Sequence, residues 1–565
     1  MKRNILLLIL FLSAIELCQA QFTTDNAVIT GKTVKPKGPE WMHNAVFYEI
    51  YPQTYYDSNG DGVGDLQGII EKLDYVKSLG VDAIWLNPFY ESPFRDAGYD
   101  VSDFYKVAPR YGTNADAKRL FEEIDKRGMH VIIDYVPGHT SVDHPWFKEA
   151  AKAEPNKYSN WYIWTDDTWA GGIDRNQYNF IQGYSDRNGW YMSNFFWHQP
   201  ALNYGFDKPD PSKPWQLAVN HPDVLALKKE MENILRFWLD MGCDGFRVDM
   251  AGSLVKNDQS GECSKYWNGL RTKLEKDYPD IFLVSEWSNP KEALRGGFHA
   301  DFFHWFNGYD DLFRIRDDKK PFFDAKGQGN MSRVMSLYMD QYNSTKELGY
   351  ISIPFANHDL SRINDMGRNP HDIESVFAFE LTMPGIPFLY YGDEIGMRQL
   401  NNIPNTEGSY GNRAGNRTPM QWNRRINKGF SDASPDKLYR TIDTSANAPT
   451  VAGCENDKTS LLFTVRQLIK LHDSEPAFSA YAEFVPVFVK ESTYPFVFIR
   501  ALGKQRIMVV LNPAAKDCTA DFTINYDAVK PVLLAGEPLE INQNTKKYTI
   551  KSKGASWSIY RLNEK

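Results

Sequence analysis

Three acidic residues in the second half of the chain each follow or end a short stretch with a distinctive pattern. Asp249 ends the stretch GFRVD, Glu286 follows FLVS, and Asp359 ends NHD. If the three stretches belong to strands of one parallel barrel, their carboxyl ends meet at one mouth. Three carboxylates there suit cleavage of a glycosidic bond, because one can attack the anomeric carbon, one can move a proton, and one can stabilise a cation-like centre.

The elements that must position these carboxylates can be read from the hydrophobic pattern. From Asn44 onward, short β-branched and aromatic runs alternate with amphipathic helical stretches, which predicts repeated βα units. Eight strands with helices between most of them predict a closed (β/α)₈ barrel rather than an open sheet. The predicted strands are residues 46–51, 83–87, 130–135, 245–249, 281–286, 300–303, 350–355 and 387–391.

Two departures from the βα pattern predict further domains. The stretch between the third and fourth strands is too long for an ordinary βα loop, which indicates an inserted domain. After the helical stretch 461–471 the pattern changes to period two, which predicts a C-terminal antiparallel β-sandwich. The predicted organisation is a signal peptide (1–20), a lead-in (21–41), the first part of the barrel (42–139), the insert (140–203), the second part of the barrel (204–478) and the β-sandwich (479–565).

The composition favours a neutral or small substrate over a charged polymer as the partner. The formal net charge of -8 argues against a nucleic-acid partner, because phosphate binding needs a basic face. No segment of the mature chain approaches the roughly 20 apolar residues that a membrane-spanning helix needs. The sequence leaves the oligomeric state and any disulfide open.

The first twenty residues have the features of a secretory signal. Lys2 and Arg3 precede an apolar stretch, and CQA at residues 18–20 provides small residues where a signal peptidase cleaves. We therefore expect a mature chain that starts at Gln21 and is secreted across the inner membrane, with a periplasmic location. A lipid anchor on Cys18 is disfavoured by the bulky Leu17 before it.

An oxygen-rich loop follows the first predicted strand. The stretch DSNGDGVGD (57–65) places oxygen ligands at alternate positions and glycine at the sharp turn, as in the first half of an EF-hand loop. The glutamate expected at the twelfth position is replaced by Gly68. The loop predicts a structural Ca²⁺ or Mg²⁺ site with ligands from Asp57, Asn59, Asp61, Val63 and Asp65.

Four short motifs, taken in order, resemble the α-amylase family of glycoside hydrolases. They are DYVPGH (134–139), GFRVD (245–249), EW (286–287) and NHD (357–359). The resemblance covers nearly the whole mature chain and is greatest to the α-glucosidase, oligo-1,6-glucosidase and trehalose synthase branch. It implies a TIM barrel with domain B after the third strand and a β-sandwich domain C.

The resemblance also implies roles for individual residues. Asp249 is similar to the nucleophile, Glu286 to the acid/base and Asp359 to the transition-state stabiliser of the family. Arg247 would orient Asp249, and His139 and His358 would hydrogen-bond hydroxyls of the sugar. Tyr99 would stack on the sugar ring, Asp100 would bind its hydroxyls, and Arg417 in RTPMQW would partner Asp100. The implied substrate-binding residues are Tyr99, Asp100, His139, Arg247, His358, Arg362 and Arg417.

The expected activity is that of a retaining hydrolase of short α-glucans, working from the non-reducing end. Stretches 88–96 and 427–431 also resemble trehalose synthase, which keeps maltose–trehalose isomerisation or transglucosylation open. Endo-acting amylase activity is a further alternative. A non-catalytic glycan-binding protein is disfavoured because all three carboxylates are present. Met250, directly after the nucleophile, leaves the preference for α-1,4 or α-1,6 linkages undecided.

Overall fold

The computed structural model describes residues 24, 27–169, 178–182, 185–306, 308–314, 320–365, 368 and 370–564. The predicted signal peptide lies outside the described residues. The chain divides into two compact units, one made of residues 34–305 and 345–481, the other of residues 306–344 and 482–565 with the described residues before 34. None of the described helices is long and apolar enough to cross a membrane.

The larger unit contains the predicted barrel. Its eight parallel strands are hydrogen-bonded in the spatial order seven, six, five, four, three, two, one, eight, so the first strand joins the second to the last. This order confirms the predicted (β/α)₈ fold. The strands are Phe47–Ile50, Ala83–Leu86, His130–Tyr135, Gly245–Val248, Phe282–Ser285, Ala300–Phe302, Tyr350–Ser352 and Phe388–Tyr390.

Aromatic side chains fill the interior of the barrel. The Phe47 and Phe388 rings stack with their centroids 4.4 Å apart, and Trp85 stacks on Phe302 at 5.4 Å. Strands that are buried on both faces need continuous apolar runs, and residues 83–86 are buried at every position. The packed interior is a rigid base for the polar groups at the carboxyl ends of the strands.

Several helices of the larger unit begin at side chains that cap their free backbone N–H groups. Asp65 accepts a hydrogen bond from the Gly68 N–H, and Thr113 forms a capping box with Asp116. The α-helices are Leu66–Leu79, Asn114–Asp125, Pro145–Ala150, Pro222–Asp240, Glu262–Leu274, Pro290–Arg295, Pro370–Glu380, Asn412–Asn416, Val451–Cys454 and Leu461–Ser474.

Two small antiparallel ribbons extend the loops above the barrel strands. Tyr90–Glu91 pairs with Asp103–Val107 after the second strand. Within the predicted insert, Asn179–Gln182 pairs with Trp190–Ser193, and Ile163, Met192, Ala201 and Phe206 form a separate small core. An inserted domain after the third strand is therefore present, and its boundaries at 140 and 203 stay predictions.

The smaller unit contains two antiparallel sheets that share one apolar core, as expected of a β-sandwich. Residues Val497 and Met508 of the first sheet lie in the same cluster as Ala520 and Ile550 of the second. In spatial order the strands are Glu483–Phe488, Phe496–Leu502, Gln505–Asn512, Ser556–Glu564 and Ala528–Gly536, then Cys518–Thr523, Lys547–Ser552 and Glu540–Asn544.

A segment predicted as part of the barrel packs within this smaller unit. It includes the helices Tyr309–Phe313 and Met331–Thr345. The Phe322 ring stacks on Tyr494 with centroids 4.6 Å apart, and the Tyr494 hydroxyl accepts a hydrogen bond from the Gly329 N–H. The hydrophobic pattern alone could not assign these helices to the sandwich, because an amphipathic helix does not reveal which apolar surface it covers.

Candidate active site

The three predicted carboxylates line one cavity of about 430 Å³. Asp249 and Glu286 directly follow the fourth and fifth barrel strands, and their N–H groups still bond the neighbouring strands at 2.9 Å. Asp359 lies beyond the seventh strand in a turn held by the Asn357 side chain, which accepts hydrogen bonds from two backbone N–H groups at 2.8 Å. The barrel strands and this turn therefore fix the directions of the three side chains.

Arg247 forms hydrogen bonds to two of these carboxylates, Asp249 and Glu286, and to a further carboxylate, Asp134. Its Nη1 donates to Asp134 Oδ1 at 2.6 Å and to Asp249 Oδ1 at 2.9 Å. Its Nη2 donates to Glu286 Oε2 at 2.7 Å. Arg247 is only 1% exposed, so its planar guanidinium is a fixed fork that sets the separation of Asp249 and Glu286.

One guanidinium faces three carboxylates, so the site carries excess negative charge. Burial raises the pKa of Asp249 well above its ordinary value, and the charge on Glu286 adds to the rise, although Arg247 opposes it. Burial also disfavours the charged form of Glu286, but Arg247 and His304 outweigh it and lower the pKa of that carboxyl. The two carboxyls share one arginine and disfavour each other's ionisation, so the two groups titrate as a pair.

Asp359 is held ionised by basic neighbours. Its Oδ1 accepts a hydrogen bond from Arg417 Nη2 at 2.7 Å and lies 3.0 Å from Arg413 Nε. Burial would raise the pKa of Asp359, but His358, Arg413 and Arg417 lower it well below its usual value. A fixed negative charge is what a cation-like reaction centre requires.

Tyr99 presents one ring face beside the cavity, and His358 lies behind it. The two rings stack with centroids 5.3 Å apart, and the Tyr99 hydroxyl lies 2.7 Å from His358 Nε2. His358 Nδ1 lies 2.7 Å from Glu49 Oε1, so both ring nitrogens have protein partners. Tyr99 lines the cavity as predicted. In this geometry His358 supports Tyr99 instead of offering a ring nitrogen to a sugar hydroxyl.

His139 reaches the cavity, but its ring nitrogens are also engaged. Nε2 lies 3.0 Å from the Tyr99 carbonyl oxygen, and Nδ1 accepts a hydrogen bond from Asn194 Nδ2 at 3.1 Å. Burial lowers the pKa of His139 to about 4, so the ring is neutral. His139 therefore contributes a ring face and holds Tyr99 in place.

Asp100 does not line the cavity, contrary to the prediction that it grips the sugar. Its Oδ1 accepts hydrogen bonds from the Ser92 hydroxyl at 3.0 Å and the Asp96 N–H at 2.9 Å, and its Oδ2 accepts one from the Arg95 N–H at 3.0 Å. The side chain is fully buried. Asp100 thus shapes the loop from within, and its oxygens are already used.

Asp96 lines the cavity in its place and was missed by the sequence reasoning. Its Oδ2 accepts a hydrogen bond from Gln199 Nε2 at 2.7 Å, and its Oδ1 lies 3.7 Å from Arg413 Nη1. A tight turn, closed by the Tyr99 N–H to the Asp96 carbonyl oxygen at 2.9 Å, brings Asp96 to the same surface as Tyr99. In the sequence this turn is marked by Ala97-Gly98, since both residues adopt the positive φ angles, 52° and 107°, that the turn needs.

Two predicted arginines have structural partners instead of a place in the cavity lining. Arg362 is fully buried, and its Nη1 donates at 2.8 Å both to Asp393 Oδ1 and to the Tyr391 carbonyl oxygen. The prediction that Arg362 binds substrate is therefore not supported. Arg417 partners Asp359, not Asp100, and the residue that lines the cavity is Arg413, which the sequence reasoning missed.

The oxygen-rich loop carries two buried carboxylates that fit a hard cation. Asp57 and Asp65 are each 4% exposed, and among the described residues neither forms an ion pair with a basic side chain. Burial raises the pKa of Asp65, and the charge of Asp57 contributes to the rise. Oxygen donors and uncompensated charge suit a hard cation. The residues that the structure describes contain no group of three acidic, His or Cys side chains with metal-site geometry.

The loop oxygens accept hydrogen bonds mainly from the loop itself, and Asp57 Oδ2 also accepts one from the Ser431 hydroxyl at 2.5 Å. Asp57, Asn59 and Asp61 accept hydrogen bonds from backbone N–H groups two to five residues ahead, and Asp65 caps the following helix. Val63 donates its N–H to Asp61. The predicted ligand set therefore stays a prediction.

Sequence comparison gives a family and several relatives of similar length. The family profile described as alpha amylase, catalytic domain, matches residues 49–480. A trehalose synthase/amylase of Mycolicibacterium smegmatis is 32% identical over 79% of this chain and 78% of its own length. An alpha-glucosidase of Culex pipiens is 30% identical over 87% of this chain and 85% of its own. An oligo-1,6-glucosidase of Parageobacillus thermoglucosidasius is 30% identical over 84% of this chain and 91% of its own length.

Structural comparison finds the same architecture in a solved enzyme. A mutant isomaltulose synthase of Erwinia rhapontici NX5, in complex with sucrose, superposes with a TM-score of 0.76. The two chains are 25% identical, and the match covers 93% of this chain and 99% of the other. The barrel, the insert and the C-terminal sheets are thus shared over nearly the full length.

Proposed function

The chain belongs to the α-amylase family, and from that membership we propose that it is a retaining α-glucoside hydrolase that removes glucose from the non-reducing end of short α-glucans. The observation that carries the proposal is the Arg247 fork, which holds Asp249 and Glu286 side by side in a cavity that Asp359 also lines. Retaining hydrolysis requires two close carboxyl groups that share one proton and one negative charge.

In the first step, Glu286 donates a proton to the glycosidic oxygen while Asp249 attacks the anomeric carbon. The lowered pKa of Glu286 favours its charged form in the free enzyme, so the bound substrate must raise that pKa for Glu286 to act as the acid. The positive charge that develops at the anomeric carbon favours ionised Asp249, and the leaving oxygen beside Glu286 favours the protonated acid. Asp359, held ionised by two arginines, stabilises the same centre.

In the second step, ionised Glu286 removes a proton from water, and the water oxygen attacks the β-glucosyl ester on Asp249. The second inversion restores the α-configuration. Arg247 keeps contact with Glu286 through Nη2 and with Asp134 through Nη1, so the guanidinium remains fixed when the charge on Asp249 is consumed.

Chain-end action on short substrates is supported by the size and polarity of the cavity. Its volume of about 430 Å³ lies toward the small end of the range for small-molecule sites, ~300–1,000 Å³. Asp96, whose pKa is raised to about 7 by burial, and Arg413 add two polar groups that suit the hydroxyls of a terminal glucose, and the Tyr99 ring provides a stacking face.

Asp96, not Asp100, is assigned to bind the sugar hydroxyls, so Asp96 provides the test and Asp100 the matched control. A hydrogen bond to a charged group is worth ~1.5–3 kcal/mol, so at a pH above the Asp96 pKa of about 7, Asp96→Asn should lower kcat/KM for maltose or isomaltose by roughly 10- to 100-fold. Asp100→Asn should instead lower the melting temperature and leave kcat/KM near the wild-type value. Steady-state kinetics and thermal unfolding of both variants would reveal the reverse pattern if Asp100 were the gripping residue.

Transglucosylation is the second candidate, because the relatives include trehalose synthases and the structural neighbours include isomaltulose synthases. Both reactions use the same glucosyl ester, and they differ in whether water or a sugar attacks it. Incubation with maltose, isomaltose, trehalose, panose and soluble starch, followed by NMR of the products, distinguishes them. Hydrolysis predicts α-glucose as the first product, and disaccharide isomers without net glucose release would favour the transferase.

We also propose that the loop from Asp57 to Asp65 binds a structural Ca²⁺ or Mg²⁺. The support is the alternate oxygen spacing and the two buried carboxylates. A cation that binds only the folded chain stabilises it by mass action, so a chelator should lower the melting temperature more than the initial rate. The matched variant Asp57→Asn should already melt lower and should respond little to the chelator. The proposal would be contradicted if the purified protein contained neither Ca²⁺ nor Mg²⁺ and the chelator left its melting temperature unchanged.

Export is supported only by the amino-terminal sequence, and we propose a periplasmic enzyme on that basis. Amino-terminal sequencing of the exported protein should begin at Gln21. A mature chain that retains residues 1–20 would contradict it.

A further inference from the structure

The backbone around Glu286 leaves the barrel sheet directly after the fifth strand. The fifth and sixth strands are paired as far as Ser285 and Asp301. The Glu286 N–H still donates to the Val248 carbonyl oxygen of the fourth strand at 2.9 Å. The Trp287 N–H lies beyond the last paired residue of the fifth strand, and a backbone N–H group in the protein interior needs an acceptor.

The side chain of Asp301 supplies that acceptor. Its Oδ1 accepts a hydrogen bond from the Trp287 N–H at 3.1 Å and a second from the Ser285 hydroxyl at 2.7 Å. Ser285 and Trp287 are the residues directly before and after Glu286. One carboxylate oxygen on the sixth strand therefore holds the chain on both sides of the acid/base.

The next residue of the loop, Ser288, is also tied to the end of the sixth strand. Its φ angle is 54°, a left-handed conformation that is unfavourable for a residue with a side chain. Its hydroxyl accepts a hydrogen bond from the His304 N–H at 3.0 Å and donates one to the Phe302 carbonyl oxygen at 2.9 Å. The loop after Glu286 is thus held in one conformation by contacts to the sixth strand.

The stability of the fold does not account for an acid at position 301. Asp301 is fully buried, and burial raises the pKa of its carboxyl to about 8, although hydrogen bonds from Ser285 and from the N–H groups of residues 287–289 oppose the rise. Burial of a carboxylate costs folding free energy, which an apolar residue at the same position would avoid. Acids with strongly shifted pKa values are common next to catalytic groups.

The geometry of the Glu286 carboxyl shows why its backbone must be fixed. Its Oε2 accepts hydrogen bonds from Arg247 Nη2 at 2.7 Å and from the Met250 N–H at 3.3 Å, so Oε1 is the oxygen that can carry a proton to the substrate. Oε1 lies 3.6 Å from His304 Nε2. A catalytic group that is misplaced by about 1 Å can lose roughly 100-fold in rate.

We propose that Asp301 is a positioning residue for Glu286, which aims Oε1 at the leaving oxygen by holding the chain on both sides of the acid/base. Asp301 does not line the cavity, so it acts through Glu286 and not on the substrate. The inference deepens the proposed function and rests on it, because it concerns the proton transfer of that reaction.

The test compares two kinds of substrate that differ in their need for a proton. The glycosidic oxygen of maltose or isomaltose needs one, whereas fluoride leaves α-glucosyl fluoride with little assistance. Asp301→Asn keeps one oxygen for Ser285 and Trp287 but turns an amide NH₂ group toward backbone N–H groups, so the loop should shift. We expect kcat/KM for the disaccharide to fall about 10- to 100-fold, and kcat/KM for α-glucosyl fluoride to change less than about threefold.

Two further variants separate positioning from a general loss of stability. Ser285→Ala removes one of the two hydrogen bonds to Asp301 and should lower kcat/KM for the disaccharide about threefold, again with little effect on the fluoride. Glu380→Gln is the matched control, because Glu380 is also a buried acid, accepts a hydrogen bond from the Phe388 N–H of the eighth strand at 2.9 Å, and does not line the cavity. It should lower the melting temperature and leave the ratio of the two kcat/KM values unchanged.

The selective loss on the disaccharide is the result that supports the positioning role. Equal losses on both substrates in Asp301→Asn, or no loss on either, would overturn it. If Asp301→Asn does not fold, Ser285→Ala decides, and a wild-type ratio in that variant would overturn the role. A wild-type protein that neither hydrolyses the disaccharides nor releases fluoride would instead overturn the proposed function.

Discussion

Replacement of Asp249 by asparagine is expected to reduce kcat on maltose or isomaltose by roughly 10⁴-fold or more, because an amide cannot form the covalent glucosyl ester. The fold should survive the change. Asparagine has nearly the same shape, and Arg247 keeps its hydrogen bonds to Asp134 and Glu286. Steady-state kinetics and thermal unfolding of the purified variant measure both effects.

Asp249→Asn is expected to be at least as stable as the wild type. Burial raises the pKa of Asp249 in the folded state, so at any pH above the unfolded pKa the folded chain must either keep a proton on Asp249 or bury its charge, and both cost folding free energy. Asparagine does not ionise in either state and has no such cost, so the melting temperature should equal or exceed that of the wild type at neutral pH. A matched control is Asp74→Asn, whose side chain is 87% exposed, and which should retain full activity. Substantial activity in Asp249→Asn would rule out Asp249 as nucleophile.

Glu286→Ala is expected to show a strong dependence on the leaving group. Loss of a general acid costs roughly 10²- to 10⁴-fold where the leaving oxygen needs a proton, as in maltose. Aryl glucosides with good leaving groups need little assistance, so their first step should be much less affected. Hydrolysis of the ester should also slow, because no base remains to deprotonate water. Kinetics on a series of aryl α-glucosides of graded leaving-group pKa measures this dependence.

Azide provides the control for that variant. It needs no base, so it should restore turnover of an activated aryl glucoside and produce α-glucosyl azide, because its attack inverts the β-linked ester. His304→Gln removes a neighbour of Glu286 without removing the carboxyl, and should show neither azide rescue nor a steep leaving-group dependence. Equal losses on all substrates and no azide product would exclude Glu286 as the acid/base.

The sequence was sufficient for the residues whose positions follow from the barrel strands. Arg247, Asp249 and Glu286 lie in or directly after regular strands, so the alternation of the strand and the geometry of the barrel determine where each side chain points. The eight strands themselves were predictable because continuous apolar runs between helices leave few alternatives to a parallel sheet.

The sequence was insufficient where irregular loops choose among neighbouring polar residues. Asp96 and Asp100 lie four positions apart in one loop, and only its hydrogen bonds show that the Asp100 oxygens bind backbone N–H groups while Asp96 faces the cavity. Arg413 and Arg417 are also four positions apart, and their spacing does not show that Arg413 lines the cavity while Arg417 does not. Arg362 looked suited to substrate because of its motif, but its partner Asp393 lies 31 residues away and could not be inferred from spacing.

The most direct test of the central claim is to trap the intermediate and locate it. A fluorinated α-glucosyl fluoride that forms the ester faster than it is hydrolysed should inactivate the wild-type protein with one label per chain. Peptide mass spectrometry should then find the fluoroglucosyl group on Asp249, and the label should be absent from Asp249→Asn. A label on another residue, or turnover that releases β-glucose first without any trapped ester, would contradict a retaining mechanism through Asp249.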